Sequence, residues 1–215
     1  YKQQMAQELD QNVHAELESP TQYIIDIYPD RQGTGELLLL TAGRRSKPHF
    51  ADYAKAVLTF DWQDFYESWE GELYFDWLRE RFESIADVVL IDSRTGVTEM
   101  GGVCTYQLAD AIVMFCASNQ QNLDGTYEMA RNFTDPKVQS LRRGRPLDVL
   151  TIPARIERAE SDLLDKFQKK FVSLFADFVP PGRGISVQQL WRLGIPYIPK
   201  YAFTEAVAIR ESGRA

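Results

Sequence analysis

The stretch that decides the predicted fold is Asp87-Val88-Val89-Leu90-Ile91-Asp92-Ser93-Arg94-Thr95-Gly96. An unbroken apolar run, Val88 to Ile91, ends at the carboxylate of Asp92. Such a run between polar residues is typical of a strand that is buried on both faces of a parallel sheet. Gly96 follows after a short polar loop, and a residue without a Cβ lets the backbone come close to a ligand. The stretch therefore predicts a buried strand that brings Asp92 to the carboxyl edge of a sheet.

Other short apolar runs also end at polar residues, and helical patterns separate them. These runs are Leu37–Leu40, Ala111–Cys116, Leu147–Ile152 and Ile195–Pro199. The clearest helical patterns are Glu70–Ile85, Leu123–Phe133 and Glu160–Phe178. This alternation predicts an α/β fold of three layers, α/β/α, around a mostly parallel sheet. The polar ends of the strands would then lie on one edge, where such sheets bind ligands.

Composition narrows the function classes. At 215 residues, residues 1–215 are predicted to form a single domain. The net charge of −7 argues against general binding to nucleic acid or to an anionic membrane. A local basic run, Arg142-Arg143-Gly144-Arg145, is expected to be a solvated loop. No apolar stretch approaches the ~18 residues of a membrane span, and no signal peptide is recognisable, so we expect a cytoplasmic protein.

Cysteine and histidine provide no reactive or metal-binding pattern. Cys104 and Cys116 match neither a disulfide framework nor a metal site, and we expect both to be small, half-buried apolar residues. His14 and His49 lie in unrelated contexts without ligand spacing. The chemistry of the chain is therefore expected at the strand ends.

The loop at Asp92 has two readings from its residues alone. Asp92 either approaches Mg²⁺ beside a phosphate, as acids at strand ends do in nucleotide-binding α/β proteins, or only caps the next turn. A phosphatase motif of the Asp-x-Asp-x-Thr type is a poor match, because Arg94 stands where the second aspartate is required. That replacement removes the acid/base partner.

The motif itself resembles one family. The sequence has Asp-Ser-Arg-Thr-Gly after an apolar strand, followed by Gly101-Gly102 and by Leu108-Ala109-Asp110-Ala111. In these motifs it is similar to the MinD/ParA-like branch of P-loop ATPases. It is most similar to a bacterial subgroup with a deviant Walker A motif of the Lys-Gly-Gly-x-Gly-Arg type. The resemblance spans roughly Leu37 to Ile209 and is strongest from Asp87 to Gly125. It implies an ATP-binding and ATP-hydrolysing, Mg²⁺-dependent molecular switch that acts on a partner or a linked domain.

The resemblance also implies roles for individual residues. Asp92 would order Mg²⁺, through water, and the backbone of Thr95 and Gly96 would sense the γ-phosphate. Arg94 would either reach phosphate or form a structural ion pair. Residues after two other strands would border the adenine base: Pro153, Ala154, Arg155, Pro199, Lys200 and Tyr201. Many relatives enclose ATP between two subunits, so the resemblance also implies a nucleotide-dependent homodimer.

One element of the family pattern is missing from the sequence. No Gly-x-x-x-x-Gly-Lys-[Ser/Thr] loop, and no glycine-lysine variant of it, occurs in the 215 residues. Such a loop wraps its amides around the phosphates while its lysine neutralises their charge. We therefore expect the first strand and the P-loop to lie outside this sequence. If they do not exist, the alternative is a pseudo-ATPase that keeps the fold as a scaffold for protein interactions.

An aromatic face is predicted upstream of the Asp92 stretch. Trp62, Phe65, Tyr66 and Trp69 are spaced three or four residues apart and share one side of a helix. Packing on the core is favoured over a docking surface.

Overall fold

The computed structural model describes residues 20–29, 33–43, 49–93, 102–157, 161–179, 182 and 184–204. Contacts group the chain into two compact units, Tyr1–Leu108 and Ala109–Ala215. Helices and both parallel and antiparallel strands occur, so the protein is a mixed α/β structure, as predicted. Residues 1–18, for which the sequence predicts a weakly amphipathic helix, lie outside the described residues.

The first unit combines a small antiparallel sheet with helices. Its elements in order are a 3-10 helix Pro20–Tyr23, strands β1 (Ile24–Asp26) and β2 (Leu38–Leu40), helices α1 (Phe50–Leu58), α2 (Trp62–Ser68) and α3 (Gly71–Ile85), and a π-helical segment Val103–Leu108. β1 and β2 pair antiparallel, with Ile24 opposite Leu40. The strand predicted at Leu37–Leu40 is thus formed, but its place in a parallel sheet was wrong. Eleven residues connect the two strands, fewer than the dozen or more that a parallel crossover requires.

The core of the first unit is aromatic. Phe65 of α2, Phe75 of α3 and Val103 of the π-helical segment are buried together. The Phe65 and Phe75 rings meet edge to face, with their centroids 5.9 Å apart. Trp62, Tyr66 and Trp69 pack against this cluster. The prediction that this helical face packs on the core is confirmed.

The strand predicted at Asp87–Asp92 is not formed. Residues 86–93 have no helical or strand structure, and Leu90 is 90% exposed. A buried central strand needs hydrogen-bonded neighbours on both sides. Among the described residues no strand pairs with this segment. An apolar run alone therefore did not determine a strand here, because its partners decide whether it is buried.

The second unit is built on a β–α–β arrangement. Its elements in order are β3 (Ala111–Ala117), α4 (Gln120–Thr134), α5 (Pro136–Leu141), β4 (Asp148–Ala154), α6 (Ser161–Phe175), a 3-10 helix Ala176–Phe178, α7 (Val187–Arg192) and α8 (Pro199–Thr204). β3 and β4 are parallel and in register, from Ala111 opposite Asp148 to Ala117 opposite Ala154. Both strands were predicted at nearly these bounds. Helices α4 and α5 form the crossover that parallel strands require.

One face of the β3–β4 sheet carries the core of the second unit. Met114 and Cys116 of β3 and Val149 and Thr151 of β4 are buried, whereas Phe115 is 60% exposed. The expectation that both faces are covered is therefore wrong for β3 within the described residues, and these do not complete three layers. Almost every position of β3 is apolar, so the sequence could not show which face is covered.

The last predicted strand, Ile195–Pro199, is present only as a short pairing. Ile156 donates its N–H to the carbonyl of Ile195 (3.1 Å), and Tyr197 donates to the carbonyl of Ile156 (3.0 Å). These bonds form a parallel bridge between Ile156 and Pro196, directly beyond β4. Pro199 begins helix α8, because proline is favoured in the first helical turn.

Candidate functional site

A cavity lies where the two parallel strands end. β3 ends at Ala117 and β4 ends at Ala154, and these residues are partners in the register. A cavity of about 430 Å³ opens beside them. It is lined by Ala117, Ser118, Asn119, Asn122, Arg155, Glu157, Leu163, Leu164 and Phe167. Ligands of open α/β sheets bind outside the carboxyl ends of the strands, which makes this the candidate site.

The wall after β3 is a capped helix start. Asn119 precedes α4 in an extended conformation, and its side chain accepts a hydrogen bond from the N–H of Asn122 at 2.9 Å. An asparagine at the N-cap position accepts a hydrogen bond from a backbone N–H group that has no partner within the helix. Gln120 in the first turn of α4 accepts a hydrogen bond from Lys170 of α6 at 2.8 Å. The cap and this bond fix the start of α4 beside the cavity.

The wall after β4 is centred on Arg155. Its backbone is left-handed, with φ of 52°. Ser118 donates its hydroxyl to the carbonyl of Arg155 at 3.2 Å and so joins the two strand ends. The guanidinium carbon of Arg155 lies 5.0 Å from the centre of the Tyr197 ring. Arg155 thus lines the cavity as an exposed residue, and its guanidinium lies beside an aromatic ring.

Helix α6 supplies the apolar wall. Phe167, Phe171 and Phe175 recur every four residues and are buried, so they define the inner face of this helix. Leu163 and Leu164 lie one turn before Phe167 and line the cavity. Leu163 is 62% exposed. A concave site with an apolar wall and a few fixed polar groups suits a small organic ligand.

Only one of the predicted base-binding residues lines the cavity. Arg155 does so. Pro153 is buried within β4, and Ala154 is half-buried at its end. Pro199, Lys200 and Tyr201 belong to α8 and are not among the lining residues.

The predicted switch loop is described only in part. Asp92 is exposed and lies in the first unit, in a segment without strand structure. Arg94, Thr95 and Gly96 fall outside the described residues, so their predicted roles stay predictions.

Asp92 offers an exposed carboxylate to a magnesium ion. No group of three or more His, Cys, Asp or Glu residues suited to a metal occurs in the described part of the chain. Mg²⁺ usually keeps several waters and binds through one or two carboxylates and the phosphates of its substrate. An exposed Asp92 fits that mode, and a metal site built entirely from protein ligands does not fit these residues.

Sequence reasoning missed part of the cavity wall. Ser118, Asn119 and Asn122 line the cavity, and their place directly after an apolar strand was the signal that could have identified them. Leu163 and Leu164 could not be distinguished from the apolar face of an ordinary amphipathic helix. Their role follows from where α6 packs.

Cys116 is a structural residue beside the site. It is fully buried one residue before the end of β3. Burial raises the pKa of its thiol, and a hydrogen bond with Thr126 partly opposes this. Because the thiolate is disfavoured, Cys116 lacks the character of a nucleophile.

Comparison of the chain with protein-family models, curated proteins and solved structures finds no match. Within the described residues, none of the helices has both the length and the apolarity that crossing a membrane requires.

Proposed function

We propose that this chain binds the nucleoside end of ATP, as part of a Mg²⁺-dependent switch ATPase of the MinD/ParA-like class. The observation that supports the proposal is the cavity at the carboxyl ends of β3 and β4. Parallel strands with this kind of crossover are the setting in which α/β proteins bind nucleotides. A three-layer fold with a mostly parallel sheet and a nucleotide-dependent homodimer belong to the same proposal.

The lining of the cavity suits a nucleoside. Leu163 and Leu164 offer an apolar surface to a base, and the planar guanidinium of Arg155 can stack on an aromatic ring. Ser118 and Asn119 also line the cavity, and their hydroxyl and amide groups can form hydrogen bonds with a ribose. The cavity volume of about 430 Å³ falls within the range of ligand sites.

The proposed contacts are to the nucleoside and not to the phosphates. No glycine-lysine phosphate loop occurs in the 215 residues. In the proposal, Asp92 would hold Mg²⁺ through water, and the ion would supply positive charge that offsets the charge of the phosphates. The chain itself should then bind adenosine and ATP with similar, weak affinity, undetectable by calorimetry at micromolar concentrations.

Amide chemical shifts would test this proposal directly. Adenosine, and separately ATP with Mg²⁺, is titrated into the ¹⁵N-labelled chain to millimolar concentration. We expect the largest shift changes at Ser118, Asn119 and Arg155. The variant Arg155→Ala should weaken the response, whereas Arg131→Ala, on the exposed side of α4, should not. Shift changes that avoid the cavity, or micromolar binding of ATP but not adenosine, would contradict the proposal.

A non-catalytic scaffold is the second candidate, and one observation favours it. Within the described residues, no strand pairs with the segment that should carry Asp92 to a sheet edge, and Val88 and Leu90 are 74% and 90% exposed. A switch loop needs a rigid strand at its start to hold it in position, and that strand is not formed here. A scaffold would bind nucleoside without turnover, so steady-state ATP hydrolysis by the full-length protein separates the two candidates.

A further inference from the structure

We propose that Tyr197 is a positioning residue, which holds the guanidinium of Arg155 in the orientation that receives a ligand in the cavity. This inference rests on the proposed function for its ligand. Tyr197 is half-buried, and it is not among the residues that line the cavity. Its effect on a ligand must therefore pass through Arg155.

The backbone on both sides of Arg155 is fixed. The carbonyl of Arg155 accepts the hydroxyl proton of Ser118 at 3.2 Å. The next residue, Ile156, forms hydrogen bonds in both directions with the chain at Ile195–Tyr197. The same bonds that join these segments bring the Tyr197 ring beside the arginine. The parallel bridge beyond β4 is thus the element that pairs the two side chains.

The guanidinium itself is oriented by the ring. Its central carbon is 5.0 Å from the ring centre, within the range of a favourable cation–π contact. An exposed arginine side chain otherwise loses considerable rotamer freedom when it binds a ligand. A contact that already exists in the free protein reduces this loss, which is the basis of preorganisation. The ring would leave the other face of the guanidinium available to a planar base.

The chain contains a matched control pair. In α4, Arg131 lies over the ring of Tyr127 at 6.0 Å, and Tyr127 is also half-buried. Neither residue lines the cavity. Replacing Tyr127 by leucine removes a comparable contact in the same unit without touching Arg155.

The test is a double-mutant cycle on adenosine affinity, measured by ligand-observed NMR with the whole chain. Tyr197→Leu should weaken binding about fivefold, the scale of one cation–π contact, and Tyr197→Phe should bind as the unaltered protein does. In an Arg155→Met background, Tyr197→Leu should change the affinity no further, because its effect requires the guanidinium. Tyr127→Leu should leave adenosine affinity unchanged.

A second readout needs no ligand. The Nε–H resonance of Arg155 should show a ring-current shift that Tyr197→Leu abolishes and Tyr127→Leu does not. The inference is overturned if the resonance is unaffected, or if Tyr197→Leu weakens binding equally with and without Arg155. Full affinity in Tyr197→Leu would also overturn it, while nucleoside binding itself would stand. An unaltered chain that binds no adenosine would instead refute the proposed function.

Discussion

Thr151 places a hydroxyl in the interior of the second unit, at the centre of β4. It is 2% exposed, and its Oγ1 has no hydrogen-bond partner among the described residues. A buried polar atom without a partner is destabilising by about 1–3 kcal/mol. Valine has nearly the same shape and suits a strand well.

Thr151→Val should therefore stabilise the protein by about 1 kcal/mol and raise its Tm by about 2–4 °C. Thermal unfolding followed by circular dichroism measures the shift. Thr134→Val is the control, since the Thr134 hydroxyl donates to the carbonyl of Ala130 at 3.0 Å and its loss should not stabilise. A lower Tm for Thr151→Val would show that the hydroxyl has a partner in solution.

Arg142 was predicted to lie in a solvated loop, and that prediction was wrong. It is only 1% exposed. Its guanidinium donates to the carbonyls of Ala109 (2.7 Å), Pro146 (3.0 Å) and Arg145 (3.1 Å). It thereby ties the turn before β4 to the start of β3. A run of basic residues is normally a solvated surface, so only the packing could identify the buried member.

Arg142→Met should destabilise the protein by about 3 kcal/mol, because the carbonyls that it serves would stay buried without donors. Urea denaturation measures the change. Arg143→Met is the matched control, since Arg143 is exposed and its positive φ of 51° strains methionine as it does arginine. Equal effects of the two substitutions would refute the assigned role.

The helices and the parallel strand pair were the predictable elements. Three helices lie close to their predicted bounds, since each has apolar residues that recur every three or four positions along one face. These helices are Gly71–Ile85, Gln120–Thr134 and Ser161–Phe175. Short apolar runs were less informative. Leu38–Leu40 became one strand of a hairpin and residues 88–91 formed no strand, because partners elsewhere in the chain decide such segments.

The candidate site was predictable in type but only partly in membership. The family resemblance placed Arg155 beside the base, and Arg155 lines the cavity. The same resemblance also placed Pro199, Lys200 and Tyr201 there, whereas α8 begins at Pro199 and none of the three lines the cavity. The positions at which the strands end predict the edge of the sheet where a ligand binds. The helices that pack at that edge determine which residues line the cavity.

Replacement by alanine should have opposite effects on stability at two glycines, because they lie in different structural surroundings. A Cβ on Gly194 would lie 3.0 Å from the carbonyl oxygen of Trp191 and 3.2 Å from Cγ of Pro153. Gly125 lies within α4, and a Cβ there meets nothing within 4 Å. Gly194→Ala should destabilise by about 1–3 kcal/mol. Gly125→Ala should stabilise by about 1 kcal/mol, since alanine favours helix.

Chemical denaturation of both variants checks this pair. If Gly194→Ala proves as stable as the unaltered protein, the turn after α7 does not pack tightly against β4. If Gly125→Ala is destabilising, α4 has a neighbour at that position in solution.

At the scale of the whole molecule, stability should fall in alkali. Burial raises the pKa of Tyr66 and Tyr74 above the ordinary value of 10.0; for Tyr66 the charge of Glu72 adds to this and the hydrogen bond with Gln107 opposes it. The neutral phenol is thus favoured in the folded state. This stability is complete below the pKa of the unfolded chain, near 10, and is lost as the pH rises through the raised folded values.

Unfolding free energies measured from pH 8 to 11 should show this decline. Tyr74→Phe should reduce the slope above pH 10, since phenylalanine keeps the ring and cannot ionise. Tyr28→Phe is the control, because Tyr28 is exposed, 47%, outside the aromatic core. An unchanged slope in Tyr74→Phe would show that its phenol ionises as freely in the folded state as in the unfolded chain.

The proposed role of Asp92 in holding Mg²⁺ also belongs to the scale of the whole protein, because it is tested through the rate of ATP hydrolysis. If Asp92 orders Mg²⁺ through water, Asp92→Ala in a full-length protein that includes the P-loop should slow Mg²⁺-dependent ATP hydrolysis by about 10–100-fold, the scale of outer metal partners. Steady-state phosphate release measures the rate, with Asp87→Ala as the control in the same segment. Unchanged turnover in Asp92→Ala would remove this carboxylate from the reaction.

At Arg155, the left-handed backbone lowers stability, whereas the side chain is the one that the proposed ligand binding requires. Glycine adopts this conformation without steric penalty, whereas a side chain there destabilises the fold by roughly 1 kcal/mol or more. Any redesign that optimises thermal robustness alone would choose glycine at this position and would delete the cation from the cavity. Thermostable versions of this protein should be engineered elsewhere in the chain.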